Sequence, residues 1–201
     1  TEDYWERISK ALDKKNFKLA RYLANKSENI EMVRAIKIIR KYYHKPERYI
    51  QSKTTIKNSF DADILVKLTQ RAMNRNLEKG LLLQATVTKQ LALNPKQIQR
   101  LKLQSALIAS YKRDPKSITL LDALDDSQID SRIQRLQIQQ AIIHKSWDKL
   151  LKWTLQRPKS EIPSSRWLYW RAYAASKAGH HNDATKIFRQ LAERRDYYGF
   201  L

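Results

Sequence analysis

This sequence predicts an all-α fold, and three observations carry that reading. First, apolar residues recur at helical spacing along almost the whole chain: Trp5, Ile8 and Leu12, then Met32, Ala35, Ile36 and Ile39, then Ile64, Leu65, Leu68 and Ala72. Second, 201 residues contain only 3 Gly and 5 Pro, too few to build the tight turns of a sheet protein. Third, the punctuation between stripes is helix punctuation, with Asn94-Pro95, Asp114-Pro115 and a Gly179 turn. At 42% apolar the chain can bury a core and is no disordered polymer.

Taken in order, Trp5, Ile8 and Leu12 mark one helix, and Phe17, Ala20 and Ala24 a second after a Lys14-Lys15-Asn16 break. Ser27 reads as the N-cap of a longer helix that runs through Tyr43 and stops at Pro46. Residues 44–60 read as a loop with a single helical turn. Asp61 or Asp63 reads as the cap of the next helix, and Leu77 to Leu93 continues the pattern. Asn94-Pro95 opens a helix carrying Leu103, Leu107 and Tyr111. Asp125-Asp126-Ser127 reads as the start of a helix with Ile129, Ile133, Leu136 and Ile143 on its apolar side. Ser146 caps a helix with Trp147, Leu150 and Leu151, and Pro158 and Pro163 bracket a connection to a final pair. Short connections make neighbours antiparallel. The expected architecture is an α–α superhelix, or solenoid, of about ten short antiparallel helices. It has no strict 34-residue period. Its C-terminal end is tetratricopeptide-like, with Ala184, Phe188 and Ala192 four apart and Gly179 as a left-handed helix stop. No linker composition interrupts it, so residues 1–201 are expected to form one superhelical domain.

Charge and composition narrow the function. Forty Lys and Arg oppose 20 Asp and Glu, giving a formal net charge of +20, which favours polyanions and acidic surfaces. Nucleic acid, anionic lipid and acidic wall polymer are all compatible with that sign. The basic pairs Lys14-Lys15, Arg40-Lys41, Lys112-Arg113 and Arg194-Arg195 are scattered over many helices. They read either as solvated outer faces or as a diffuse positive surface. Absence of Cys excludes disulfides and thiolate chemistry. No 18-residue apolar run predicts a membrane span, and the first residues carry neither an initiator Met nor a signal-peptide pattern.

Catalytic and metal-binding patterns do not emerge. Asp122, Asp125 and Asp126 read as capping and dipole complement rather than as an acid/base pair. His180-His181 lies in a polar turn without a helical His-x3-His pair, and His44 and His144 sit at helix ends. No Gly-rich phosphate loop or nucleophile elbow is present. No catalytic residue, metal or cofactor is therefore expected. The run Arg166-Trp167-Leu168-Tyr169-Trp170-Arg171-Ala172-Tyr173 can stack bases or sugars. It can equally be helix packing, with Trp167, Trp170 and Ala174 on one face.

The C-terminal quarter resembles the soluble lytic murein transglycosylase family. The residues that carry the resemblance are Trp147, then Arg166, Trp167, Tyr169, Trp170 and Arg171, then Gly179, Ala184, Phe188 and Leu191, and finally Tyr197, Tyr198, Gly199, Phe200 and Leu201. Tyr173 departs from it, standing where Arg or Leu is commoner. Upstream, Tyr4-Trp5-x2-Ile8 and Phe17-x-Leu19-Ala20-x2-Leu23-Ala24 are similar only weakly.

The resemblance implies a periplasmic protein in which a superhelix is followed by a linker and a C-terminal lysozyme-like domain. That domain cleaves the peptidoglycan glycosidic bond with a 1,6-anhydro product. Its Glu-Ser motif would follow Leu201, so this chain is expected to be a fragment of the larger protein and inactive alone. Residues 197–201 are expected to lead toward the linker domain. The expected partners are that C-terminal domain and peptidoglycan, held electrostatically. The competing readings are a solenoid scaffold for an acidic protein partner and a helical nucleic-acid binder.

Overall fold

In the computed structural model the described residues are 2–91, 93–156 and 164–200; Pro158, Pro163 and Leu201, singled out above, lie outside them. The described chain is all-α, with twelve α-helices and one short 3-10 turn at Asp126–Gln128. The helices are α1 (Glu2–Asp13), α2 (Phe17–Lys26), α3 (Ile30–Tyr42), α4 (Pro46–Ser52), α5 (Ser59–Arg75) and α6 (Leu77–Gln90). They continue as α7 (Pro95–Tyr111), α8 (Lys116–Asp122), α9 (Ser131–Ile143), α10 (Trp147–Leu155), α11 (Ser165–Lys177) and α12 (His181–Ala192). Packing is mainly between chain neighbours, α1 on α2, α5 on α6, α9 on α10, α10 on α11 and α11 on α12. This is the hairpin-after-hairpin topology expected of a solenoid. The chain divides into two compact units, residues 1–108 and 109–201.

In the N-terminal unit, α5 packs against α3, α4 and α6. Eleven of its seventeen residues are buried, among them Ile64, Leu65, Leu68 and Met73. Gly80 of α6 allows the α5–α6 crossing: a Cβ there would lie 2.4 Å from the Met73 backbone. Being buried on several sides, α5 must also bury polar groups. Asp61 is fully buried and accepts from Arg34 Nη2 at 2.8 Å and from the Lys57 backbone N–H at 3.2 Å. Lys67 is also buried and donates to Asp13 Oδ1 at 2.7 Å.

The C-terminal unit stacks α8, α9, α10, α11 and α12 in chain order. One turn recurs in it. Arg113, Lys145 and Gly179 each adopt positive φ (53°, 53° and 86°), two residues past the last helical residue. The next N–H then reaches back to an alanine carbonyl: Asp114 to Ala109, Ser146 to Ala141 and His180 to Ala175, at 2.8–2.9 Å. This is a Schellman closure. All three alanines are buried, so each turn places a small residue where the next helix folds back. They recur at intervals of 32 and 34 residues, close to a tetratricopeptide period. The α1–α2 turn has the same form, with Lys15 at φ 58° and Asn16 N–H donating to Ala11 O.

Several boundaries differ from the sequence reading. Ser27 is the C-cap of α2, and Asn29 caps α3 by accepting from Glu31 and Met32 N–H. Pro46 begins α4 instead of only ending α3, since Pro suits the first helical turn, where no N–H is needed. Asn58, not Asp61 or Asp63, caps α5. Asp125 to Ser127 leads into the 3-10 turn, and Asp130 caps α9. For α3, α5 and α9 another short polar side chain lay within a few residues and had the geometry to reach the free N–H groups.

Candidate functional site

The residues singled out at the C-terminal end converge in the second unit. Tyr169 is the hub of an aromatic network. Its ring lies 5.3 Å from Trp170, 6.3 Å from Tyr173, 6.0 Å from Phe188 and 5.5 Å from Tyr198. Trp147 joins through Tyr173 at 5.3 Å, and Tyr197 through Tyr198 at 5.2 Å. Most of these pairs are edge-on or tilted, the arrangement that the ring quadrupole favours. Tyr173, the departure from the family pattern, contacts Trp147, Tyr169 and Trp170 and is a full member of the network.

Other members of the set hold the unit together. Arg171 Nη2 donates to Thr154 O, and Trp167 Nε1 donates to the same carbonyl at 3.3 Å. Both thereby satisfy the open C-terminal end of α10, where a cation is favourable. Ala184 is buried against α11, and Gly179 supplies the left-handed turn. Gly199 has no room for a side chain, since a Cβ would lie 2.0 Å from Arg194 O and 2.7 Å from Leu191 O. Asp196 ties residues 197–199 down: it accepts from the Tyr198 and Gly199 N–H groups and from the Ser165 hydroxyl. The Ser165 hydrogen bond, ahead of those two N–H groups, holds its carboxyl below the ordinary range. Phe200 is 82% exposed and stands apart from the network.

On α11 the outward side of this network opens into a cleft of about 730 Å³. Arg166, Trp167 and Trp170 form one wall, Arg132, Arg135 and Gln139 of α9 the other, and Tyr111 lies at an edge. Arg132 Nη2 donates to the Tyr111 hydroxyl at 2.6 Å. Arg132, Arg135 and Arg166 are exposed, while both indoles are half-buried. No carboxylate lines the cleft among the described residues. Two indole faces beside three guanidinium groups suit a ligand with flat or pyranose surfaces and negative charge.

Arg132 and Arg135 were not singled out in the sequence, and Tyr111 was read only as part of an apolar helix face. No local motif marks them, because they come from helices distant in the chain and meet only through folding. Asp122, read in the sequence as capping and dipole complement, is instead the last residue of α8, where a carboxylate does not complement the helix dipole. It pairs with Lys149 Nζ at 2.5 Å and Lys152 Nζ at 2.8 Å and accepts from Trp153 Nε1 at 3.1 Å. Burial alone would raise its pKa, but these three donors outweigh it and hold the value at about 2. Among the described residues no group of His, Asp or Glu is placed to hold a metal, and no helix is long and apolar enough to cross a membrane.

No protein-family model matches the chain, and no curated protein matches it in sequence. Its structure is similar to that of an inactive variant of the lytic transglycosylase Slt from Pseudomonas aeruginosa, with a TM-score of 0.77 and 21% identity over 99% of this chain. It is also similar to the 70-kDa soluble lytic transglycosylase Slt70 from Escherichia coli, with a TM-score of 0.65 and 20% identity over 98% of this chain. A third similar structure is the 70-kDa soluble lytic transglycosylase in complex with bulgecin A, with a TM-score of 0.62 and 18% identity over 98% of this chain. The chain spans 32% of the length of each. At these identities the fold is what is shared. The resemblance carried by residues 147–201 thus extends, as structure, over nearly the whole chain.

Proposed function

We propose that this chain is the non-catalytic helical region of a periplasmic soluble lytic transglycosylase, and that the cleft between α9 and α11 holds peptidoglycan for the catalytic part of the larger protein. The first half rests on the likeness of almost the entire chain to one third of Slt. The second rests on one observation, the pairing of Trp167 and Trp170 with Arg132, Arg135 and Arg166 in a cleft without a lining carboxylate. Indole faces stack on pyranose rings, and stem-peptide carboxylates complement guanidinium groups. The net charge of +20 adds long-range attraction that fades as the screening length shrinks to about 8 Å at physiological salt. On this reading Trp147, Tyr169, Phe188, Tyr197 and Tyr198 stiffen the α11 wall. The chain positions substrate, and the glycosidic bond is cleaved elsewhere in the larger protein.

The test is co-sedimentation of the 201-residue chain with purified sacculi across a salt series, with duplex DNA as competitor and anhydro-sugar release assayed in the same tubes. Binding without release, weakened several-fold by the exposed-surface pair Arg132→Glu and Arg135→Glu, is the expected result. Binding unaffected by that pair removes the cleft from the proposal. Preference for DNA over sacculi replaces it with the nucleic-acid reading, and release of product contradicts the non-catalytic assignment.

A further inference from the structure

A second cleft, of about 300 Å³, lies in the N-terminal unit, where α5 faces α1, α2 and α3. One side is apolar: Phe17 and Tyr43 meet edge to face at 5.0 Å, next to Leu12 and Ile39. The other side is a row of donors from one face of α5, with Lys67, Gln70 and Arg71. Lys15, on the α1–α2 turn, adds an exposed ammonium at the mouth. Three cations thus face a single carboxylate, that of Asp13.

The donors are not used up by the protein. Gln70 is 94% buried by its 6% exposure, yet its Nε2 has no hydrogen-bond partner. A buried amide donor left unpaired costs about 1–3 kcal/mol, and an acceptor entering the cleft would relieve that cost. Arg71 lies on the Tyr43 ring, 4.1 Å from its centroid, and donates Nε to Tyr43 O at 3.2 Å. Its two Nη groups have no acceptor among the described residues. Lys67 donates to Asp13 Oδ1 at 2.7 Å and to Ser9 O at 3.4 Å, which leaves one of its three N–H bonds. Burial pulls the Lys67 ammonium below its usual pKa, against the raising effect of Asp13. A second negative charge in the cleft would relieve that penalty.

We infer that this cleft binds the terminal carboxylate of a short peptide with a small apolar last residue. The carboxylate lies across Gln70 Nε2 and the Arg71 guanidinium edge, within the field of Lys67 and Lys15. The apolar side chain rests on Phe17 and Tyr43. The volume sits at the small end of ligand pockets, which fits a dipeptide-sized end and not a sugar chain. The charge balance selects an anion, and the aromatic wall selects an apolar neighbour to that anion. The assignment stands apart from the peptidoglycan reading, because it uses other residues in the other unit.

The test is titration of the isotope-labelled 201-residue chain with alanyl-alanine, its C-terminal amide and inorganic phosphate, observed by NMR. The free acid is expected to shift the Gln70 side-chain amide and the Arg71 Nε–H. The amide, which lacks the charge, is expected to bind about tenfold more weakly, the scale of one charge-assisted contact. Gln70→Leu is expected to weaken binding about tenfold without loss of stability, since it removes an unpaired buried donor. Lys15→Ala, on an exposed turn, is expected to weaken it about twofold. Running the L,L and D,D dipeptides side by side separates an ordinary protein terminus from a wall-type peptide terminus. Equal binding of acid and amide, shifts confined to other residues, or phosphate matching the dipeptide would each overturn the inference.

Discussion

The two units solve the same packing problem with different chemistry. In the N-terminal unit, α5 meets three helices and buries eleven residues, including Asp61, Lys67, Thr69 and Gln70. In the C-terminal unit, α12 meets α11 and buries only Ala184 and Leu191. A helix covered on several sides cannot keep its polar residues in water, so it needs internal partners. A helix covered on one side needs only a stripe. The carboxylates follow the same division, although their cationic partners are all partly exposed: Asp61 is fully buried beneath Arg34, whereas Asp122 keeps 20% of its side chain exposed beside Lys149 and Lys152. The lesson is that a charge in this protein carries weight in proportion to how many helices surround it.

The largest effect is expected at Asp61. Asp61→Ala removes the buried acceptor of Arg34 Nη2 and of the Lys57 N–H, while Arg34 keeps Glu31, and should lower unfolding free energy by about 3 kcal/mol in urea titrations. A loss no greater than that of Asp122→Ala would erase the contrast between the units. Gly80→Ala comes next, at about 2 kcal/mol, because its Cβ would strike Met73 backbone atoms, which cannot rotate aside. Thermal unfolding read by circular dichroism would report it, and an unchanged midpoint would mean that α5 and α6 can separate cheaply.

Asp122 should show a pH signature. Its folded pKa, at about 2, lies below its ordinary value of 3.8, so the ion pair contributes stability that is fully present above about pH 5. That contribution is lost as pH falls from about 4 toward 2. With both lysines more than a third exposed, screening limits it to about 1–2 kcal/mol. Asp122→Asn should remove that part of the acid limb in stability measured against pH, while leaving the neutral-pH loss smaller than that at Asp61.

The smallest effects sharpen the comparison at the turns. Gly179 has open space for a Cβ but φ of 86°, so Gly179→Ala should cost about 1 kcal/mol from backbone strain alone. Lys145 sits at φ 53° in the equivalent turn, and Lys145→Gly should be neutral or gain up to about 1 kcal/mol in the same assay. If both substitutions destabilise equally, the Lys145 side chain contributes something beyond the turn.

These turns also show how far the chain could be read unaided. Gly179 was legible as a left-handed stop because glycine advertises positive φ. Lys15, Arg113 and Lys145 occupy the same conformation, and nothing in a lysine or arginine announces it. The structure reveals the recurring turn through the buried alanines Ala109, Ala141 and Ala175, whose carbonyls close it. Caps shifted for a similar reason. Asn, Asp and Ser stand together near most helix starts, and only the direction of the incoming chain decides which oxygen meets the free N–H groups.

From residue order alone came the all-α class, the succession of short helices, and the aromatic and arginine run of α11. Those depend on periodicity and local propensity, which are written along the chain. Tertiary structure decided which charges matter. Arg132 and Arg135 meet Arg166, Trp167 and Trp170 across a cleft, and Lys67, Gln70 and Arg71 of α5 face an apolar wall built from Phe17 and Tyr43. Convergence of that kind depends on the rotational phase of one helix against another. That phase is set by side-chain packing between segments far apart in sequence, so no local pattern encodes it.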